Sequence, residues 1–182
     1  MVKPPTSLET DRLTLRPPRP SDAEALFAAY TQDPEVSRYM TWRPHRDVEE
    51  TRTFLHHCTD AWRDGAGYPW VLGRKDAGDL LGIAELRMRG HMAELGYVLA
   101  RAAWGQGLMA EALRPIVAWA LEQPSIFRVW ATCDVDNARS ARVLERLGMQ
   151  REGLLRRWIV HPNVSAEPRD CWCYARVRVA GG

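Results

Sequence analysis

Apolar and polar residues along the chain follow two periods, one of two residues and one of three to four. Alternation over two residues, or a short apolar run between turn residues, predicts a strand. Strands are predicted in this way at 12–16, 70–72, 80–88, 93–99, 128–134, 153–160 and 170–179. Turn residues at 76–79 and 89–91 join three of these strands, and the last two strands are expected to form an antiparallel pair.

Helices are predicted where apolar side chains return every three or four residues. The segments lie at about 21–29, 47–64, 108–122 and 137–147. Ser21 is expected to begin the first helix as part of a capping box with Glu24. The order of elements predicts a single α/β domain, residues 1–182, in which helices cover a mixed sheet. Residues 1–7 are expected to form a disordered lead.

The overall composition argues against several classes of protein. The 182 residues are 46% hydrophobic and 26% charged, which is typical of a globular domain with a buried core. The net charge of +2 is too small for a basic surface that binds nucleic acid or a membrane. No apolar run is long enough to span a bilayer, and the first residues lack the pattern of a signal peptide. Neither nucleic acid nor a membrane is therefore expected as a partner.

The cysteines give no indication of a metal site. The sequence has four cysteines, Cys58, Cys133, Cys171 and Cys173. The close pair Cys171 and Cys173 has no second Cys or His pair at the spacing that zinc sites require. No metal is therefore expected. Free thiols in a chain of this size favour the cytoplasm as the compartment.

Two glycines, Gly105 and Gly107, lie between the strand that ends at Leu99 and the helix that begins at Leu108. A turn of this kind leaves backbone N–H groups uncovered at a helix N-terminus, where they bind a phosphate or pyrophosphate. A Gly-x-Gly pair alone is also common in plain turns. Its meaning therefore depends on the segments around it.

Several further segments accompany this turn in a fixed order. They are Thr10–Arg16 with Asp22, Leu81-Gly82, Leu95–Leu99, Trp104–Gly107, Glu111-Ala112, Asn137–Ser140, Leu147–Met149, Glu152-Gly153 and Arg156. In this order they resemble the GNAT superfamily of N-acetyltransferases, and in detail its RimJ/RimL-type branch. The resemblance covers residues 10–179 and implies a GNAT-like acyl-CoA N-acyltransferase fold. In that fold a mostly antiparallel sheet has splayed central strands and flanking helices.

The resemblance implies acetyl-CoA as co-substrate and assigns residues to it. The backbone N–H groups at the turn would hold the pyrophosphate, and the motif there comprises Trp104, Gly105, Gln106, Gly107, Leu108, Met109 and Ala110. Trp104 replaces the Gln or Arg of the general motif, and Met109 replaces its last small residue. The backbone of Tyr97, Val98 and Leu99 would pair with the pantetheine arm, which Asn137 would also contact. Arg142 or Arg139 would meet the 3′-phosphate, or both would lie on a solvated helix face.

Transfer of an acetyl group to an amine requires a base for the amine, a donor for the thioester oxygen and a proton for the leaving thiolate. Glu94 is the first candidate for the base and Glu85 the second; the alternative for Glu94 is the exposed face of its strand. The N–H of Val98 or Leu99 is the expected oxyanion donor. The position at which many GNAT enzymes carry a tyrosine acid holds Leu144. Ser140 matches the serine of the RimJ/RimL branch and is the predicted acid, unless it only bonds back to its own helix.

The predicted function is direct acetyl transfer to an acceptor amine, either a protein N-terminal α-amine or a small molecule. The alternative is a non-catalytic acyl-CoA-binding or sensing protein on the same scaffold, suggested by the missing tyrosine. The segment 36–48 carries Arg38, Arg43, His45 and Arg46 with Asp47. This mixed, somewhat basic character disfavours a polycationic acceptor and suits one with a carboxylate. The sequence leaves open whether the protein is a monomer or a homodimer.

Overall fold

The computed structural model of the chain describes residues 2–178 and contains an open sheet of eight strands. The strands are β1 (Leu8–Glu9), β2 (Leu13–Arg16), β3 (Tyr68–Arg74), β4 (Leu80–Arg89), β5 (Met92–Leu99), β6 (Arg128–Asp134), β7 (Gln150–Val160) and β8 (Pro168–Val177). Their order across the sheet is β1-β2-β3-β4-β5-β6-β8-β7. All neighbouring pairs are antiparallel except β5 and β6, which are parallel.

Five α-helices connect these strands. They are α1 (Ala23–Leu26), α2 (Pro34–Ser37), α3 (Val48–Asp64), α4 (Leu108–Glu122) and α5 (Ala138–Arg146). The two longest have the bounds that the hydrophobic period predicts. Asp47 accepts a hydrogen bond from the N–H of Glu50 at the start of α3, and Gly65 ends that helix in the left-handed conformation, with φ of 71°.

The sheet separates two hydrophobic clusters. On one face Ala93 and Leu95 of β5 pack with Leu113 and Ile116 of α4 and with Leu144 of α5. On the other face Val71, Ile83 and Val98 pack with Leu26 of α1 and Leu55 of α3. Because side chains alternate across a strand, this arrangement fixes which residues of β4 and β5 face each helical layer.

The two central strands diverge shortly after they pair. β5 and β6 are in register only from Met92–Glu94 against Arg128–Trp130. Beyond these residues β5 keeps its pairing with β4, but its other edge has no strand partner. This divergence confirms the expected splayed strands, and it opens a cleft between β5 and α5.

The first residues differ from the expectation of a disordered lead. Pro4 is buried, and the carbonyl of Pro5 accepts a hydrogen bond of 3.1 Å from the indole Nε1 of Trp70. A buried indole N–H needs an acceptor, and this contact supplies it. Pro4 and Pro5 thus make contacts that a disordered lead would not make; for the other residues of the lead the expectation stays a prediction, and Met1 lies outside the described residues.

The start of the first helical segment also differs. Ser21 does not cap it; instead the Asp22 carboxylate accepts from the N–H of Arg19 at 2.8 Å and from the Arg16 guanidinium at 2.7 and 2.8 Å. The segment then continues as α1 and a π-helical turn, Phe27–Thr31. The predicted strand end at residue 179 lies outside the described residues. None of the helices within residues 2–178 has the length and apolar character that crossing a membrane requires.

Candidate active site

A cavity of about 540 Å³ occupies the cleft where β5 and β6 diverge. Four segments from distant parts of the chain line it: residues 35–40, the end of β5, the glycine turn before α4, and α5. The predicted site residues among its lining are Tyr97, Val98, Leu99, Trp104, Gly105, Gly107, Leu108, Met109, Asn137, Ser140 and Arg142. The cleft therefore collects most of the residues predicted to hold the cofactor.

The glycine turn presents free backbone donors to this cavity. Gly105 and Gly107 have φ of 77° and 76°, a conformation that a residue with a Cβ adopts only under strain. Gly107 is the N-cap of α4 and makes no side-chain cap, so the first N–H groups of the helix lack an intrahelical or capping partner. Those donors and the helix dipole favour an anion at this position.

Two predicted cofactor residues of the turn do not line the cavity. The Gln106 side chain donates to the carbonyl of Ala102 at 2.9 Å and accepts from Arg74 at 3.2 Å, which directs it away from the cleft. Ala110 is buried, with 4% exposed. For both residues, only the backbone N–H remains available for the predicted role.

The N-terminal motif around Thr10 holds this turn in place. The Glu111 carboxylate, in the first turn of α4, accepts from Thr10 Oγ1 at 2.6 Å and from the N–H and Nε of Arg12 at 3.0 and 2.7 Å. Arg12 Nη1 also donates to the carbonyl of Gln106 at 3.1 Å. The motif around Thr10 therefore connects the β1–β2 hairpin to the glycine turn and to the first turn of α4.

The backbone of β5 offers hydrogen bonds to the cleft from alternate residues. The bond from the N–H of Ala100 to the carbonyl of Leu81, 2.7 Å long, sets the alternation of the ladder with β4. Val98 therefore bonds to its partner Ile83, whereas the polar groups of Tyr97 and Leu99 face the cleft. Of the three residues predicted for the pantetheine arm, Val98 therefore has its N–H and carbonyl engaged by β4, and its side chain packs with the cluster of Leu26 and Leu55.

Trp104 covers the end of this strand. Its indole Nε1 donates to the carbonyl of Leu99 at 2.8 Å, and the Arg139 guanidinium lies 4.4 Å from its ring centroid. The carbonyl of Leu99 is therefore occupied, and its N–H is the free group. Arg139 packs on the ring as a cation–π pair, which does not use the in-plane N–H donors of its guanidinium, and its contact with the 3′-phosphate stays a prediction.

A pair of hydroxyl groups crosses the cleft. The phenol oxygen of Tyr97 lies 2.7 Å from Ser140 Oγ, within hydrogen-bonding distance. Burial raises the pKa of Tyr97 above its ordinary range, although the bond with Ser140 opposes this effect. Asn137 caps α5, where its side-chain oxygen accepts from the N–H of Ser140 at 3.2 Å. The cap thus fixes the first turn of α5 and orients Ser140 toward the cavity.

The two carboxylates predicted as base lie elsewhere. Glu94 and Glu85 share the α3 face of the sheet, where Arg87 lies between them at 3.4 and 3.6 Å, and neither lines the cavity. Burial raises the pKa of Glu85. Glu94 is on the same face as Val98 but four residues away, about 13 Å along a strand. Their assignment as base stays a prediction that this placement does not favour.

The arginines of α5 occupy distinct positions along the cleft. Arg142 and Arg146 line the cavity, and a Cβ at Gly107 would lie 3.7 Å from Arg146 Nη1 and 3.9 Å from Arg12 Nη2. Two guanidinium groups thus approach the anion-binding turn. The sequence singled out Arg142 because of its helix face, and it missed Arg146, whose position on the same face was visible.

Comparison with known proteins agrees with this geometry. The family model for the acetyltransferase (GNAT) domain matches residues 12–150. The uncharacterized N-acetyltransferase YoaA of Bacillus subtilis (strain 168) is 30% identical over 174 residues, which cover 94% of this chain and 96% of that protein. The chain belongs to the GNAT acetyltransferase family. The predicted fold class and the prediction of an N-acetyltransferase enzyme are thereby confirmed.

Two further proteins extend the comparison, one by sequence and one by structure. The [ribosomal protein uS5]-alanine N-acetyltransferase of Escherichia coli (strain K12) is 28% identical to this acetyltransferase over 166 residues, covering 86% of this chain and 84% of its own. The crystal structure of the microcin C7 self immunity acetyltransferase MccE, in complex with acetyl-CoA and AMP, superposes with a TM-score of 0.84. It is 22% identical and is covered over 97% of its length, against 96% of this chain. The first of these agrees with the RimJ/RimL-type resemblance, and the second shares the fold.

Proposed function

We propose that this GNAT acetyltransferase uses acetyl-CoA as donor and transfers the acetyl group directly to an acceptor amine. The observation that carries the proposal is one cavity that joins an uncapped helix N-terminus to a free strand edge. The first suits the pyrophosphate of coenzyme A, and the second suits the amide groups of its pantetheine arm. The acetyl-CoA complex of the structurally similar MccE and the N-acetyltransferase relatives support the same donor.

The residues along the cleft fit the donor from one end to the other. The N–H groups at the start of α4 and the guanidinium of Arg146 would hold the phosphates. The N–H and carbonyl of Tyr97 and the side-chain amide of Asn137 would hold the pantetheine arm. The thioester would then lie near Leu99 and Ser140, which line the same cavity.

When bound, acetyl-CoA supplies an acetyl group as a thioester. The neutral amine would attack its carbonyl carbon as the carbon–sulfur bond breaks, and the nitrogen would release one proton to solvent, which balances the proton that the departing sulfur takes up. The N–H of Leu99 points into the cleft and would donate to the thioester oxygen as that oxygen gains charge. Ser140 would donate to the departing sulfur, and the Tyr97 hydroxyl would donate to Ser140 Oγ and keep its proton directed at the cleft. Leu144, at the family's tyrosine position, is fully buried and takes no part.

The acceptor is a protein N-terminal α-amine or a small-molecule amine. The uS5-alanine N-acetyltransferase, by its name, modifies an alanine of a ribosomal protein, which supports the first class as a starting point. A non-catalytic role as an acyl-CoA-binding protein, suggested by the missing tyrosine, is not favoured, because the hydroxyl pair would supply the donor that residue 144 lacks.

The test combines turnover with binding. The protein is incubated with acetyl-CoA and a panel of N-terminal peptides and small amines, and free thiol is followed with a chromogenic disulfide. Calorimetric titration with coenzyme A is done in parallel. We expect thiol release that depends on the acceptor. Coenzyme A binding without release for any acceptor would instead support the non-catalytic protein, and the absence of both would refute the proposal.

A further inference from the structure

A second, more open cavity of about 500 Å³ adjoins the first. Glu35 and Arg38 line both cavities, so the two lie side by side. The remaining lining residues of the second are Pro34, Arg43, Pro162, Asn163 and Val164. None of these belongs to the turn, the strand edge or the helix that would hold coenzyme A. The second cavity is therefore on the side from which an acceptor would enter.

Arg38 and Arg43 bring unpaired positive charge to this cavity. Neither guanidinium forms an ion pair or a hydrogen bond with any residue in the described part of the chain; Arg38 lies 5.5 Å from the ring centroid of Tyr39. Nearby arginines are held differently, since Arg101 pairs with Asp33 at 3.0 Å and Arg52 pairs with Glu24 at 2.7 Å. The donors of Arg38 and Arg43 thus remain free for a ligand.

The segment that carries these arginines is fixed at both ends. The side-chain amide of Asn163, in the β7–β8 loop, donates to the carbonyls of Ser37 and Trp42, both at 2.7 Å. Beyond Arg43, the N–H of His45 donates to the carbonyl of Thr31 at 2.9 Å. A segment held in this way loses little conformational entropy when it binds a ligand, and this preorganisation favours affinity.

One carboxylate faces the junction of the two cavities. Of the acidic residues that line the first cavity, Asp136 pairs with Arg169 at 2.6 Å, whereas Glu35 makes no ion pair within residues 2–178. Glu35 is therefore free to contact an ammonium group. Positive and negative side chains together suit a ligand that carries both an amine and an anionic group.

We infer that the second cavity is an acceptor subsite, and that it selects an amine whose molecule also carries a carboxylate or phosphate group. Arg38 and Arg43 bind the oxyanion, and Glu35 meets the ammonium group before the amine enters the first cavity. A polycationic acceptor is disfavoured because it would place positive charge beside two unpaired guanidinium groups. The inference rests on the proposed function, whose acceptor class it narrows.

Arg43→Gln is the clean test, because Arg43 lines only the second cavity. Peptides with N-terminal Ala-Asp, Ala-phosphoserine, Ala-Asn and Ala-Lys serve as acceptors that differ in charge. We expect kcat/KM for the anionic peptides to exceed that of the Asn peptide. Arg43→Gln loses one charge-assisted contact and should lower kcat/KM for the anionic peptides about tenfold. The value of kcat/KM for the Asn peptide should change by less than about twofold. Comparison of the Asp and phosphoserine peptides identifies the preferred oxyanion.

The matched control is Arg89→Gln, an exposed arginine at the end of β4 that lines neither cavity. Arg89→Gln should leave all four values unchanged, and affinity for coenzyme A should be unchanged in both variants. Equal kcat/KM for the charged and neutral peptides, or an equal loss for all peptides in Arg43→Gln, would overturn the inference while the acetyltransferase activity stands.

A binding experiment keeps the two proposals separable. If no acceptor gives turnover, the same peptides are titrated into the coenzyme A complex. Tighter binding of the anionic peptides, lost in Arg43→Gln, would support the subsite without activity. Equal or absent binding of all four would refute it.

Discussion

Replacement of Glu111 by Gln tests how the N-terminal motif around Thr10 supports the glycine turn before α4. Glu111 is 15% exposed and accepts three hydrogen bonds, one from Thr10 and two from Arg12. Glutamine keeps one acceptor oxygen but directs an NH₂ group at donors that need an acceptor. Glu111→Gln therefore removes the negative charge and at least one bond, and it releases Arg12 from the position in which it also holds the carbonyl of Gln106.

The magnitude follows from these contacts. A hydrogen bond to a charged group contributes about 1.5–3 kcal/mol, and an exposed ion pair contributes about 0–1 kcal/mol. Because the Arg12 side chain is 51% exposed, its share is discounted, and we expect a loss of about 2 kcal/mol in the free energy of unfolding. For a domain of this size that corresponds to a decrease of about 4–8 °C in Tm.

The loss should also depend on pH. Burial alone would raise the pKa of Glu111, but the bonds from Thr10 and Arg12 outweigh it and lower the pKa below its ordinary value of 4.5. A carboxylate with a lowered folded-state pKa stabilises the protein above pH 4.5, and this contribution disappears as the pH falls through the folded-state value. The difference between the wild type and Glu111→Gln should therefore be full near neutral pH and shrink in acid.

Urea unfolding followed by circular dichroism over a series of pH values measures this difference. Glu122→Gln is the matched control, because Glu122 is an exposed carboxylate at the other end of α4 that makes no ion pair among the described residues. It should change stability by less than about 0.5 kcal/mol. A similar loss in both variants, or a Glu111→Gln effect that stays constant into acid, would refute the reasoning.

Three further predictions concern the cleft. Gly107→Ala should weaken coenzyme A binding about tenfold in calorimetry, because a residue with a Cβ is strained at a φ of 76°. Gly78→Ala is the control: Gly78 has a φ of 72° and open space around it, so this variant should lose about 1 kcal/mol of stability for the same reason and leave binding unchanged. Ser140→Ala should lower kcat about a hundredfold in the thiol-release assay without altering coenzyme A affinity; an unchanged kcat would exclude Ser140 as the acid. Arg146→Gln should weaken the binding of coenzyme A and of dephospho-coenzyme A equally, by about threefold to tenfold, and leave the binding of pantetheine unchanged. The exposed control Arg114→Gln should leave the binding of all three unchanged. A loss confined to coenzyme A would place Arg146 at the 3′-phosphate instead.

Elements with a strong period or a clear end were predictable from the sequence. The bounds of α4 and β6 agree with the pattern because an apolar stripe or alternation runs through each of them. Ser21 does not act as the predicted cap because the neighbouring residue takes the local hydrogen bonds: the Asp22 carboxylate accepts from Arg16 and from the N–H of Arg19. Pro4 and Pro5 were expected to be disordered because no local pattern indicates their partner. The Pro5 carbonyl accepts from the indole of Trp70, which is 65 residues away in the sequence.

Within the site, the alternation of residues along β5 indicates which residues face the cleft, and the sequence prediction did not use it fully. Glu94 and Val98 share a face of β5 but lie about 13 Å apart, and this separation does not favour the predicted base at Glu94 for a thioester beside Leu99. The same alternation assigns the free N–H of the cleft to Leu99 and not to Val98. The side chain of Tyr97 was overlooked because the resemblance assigns only its backbone, although its parity already directed it toward α5.

The two halves of the site differ in how the sequence encodes them. The half proposed for the donor consists mainly of backbone groups. Gly105 and Gly107, which adopt a positive φ, mark it within one short segment of the sequence. The half proposed for the acceptor consists of side chains from two segments, and Asn163 joins them through contacts that span 121 and 126 residues of sequence. No local pattern indicates such a contact, because it forms only when the β7–β8 loop folds against residues 37–42. If the second cavity is the acceptor subsite as proposed, substitutions at Arg38, Arg43 and Asn163 should change the acceptor and leave the donor half intact.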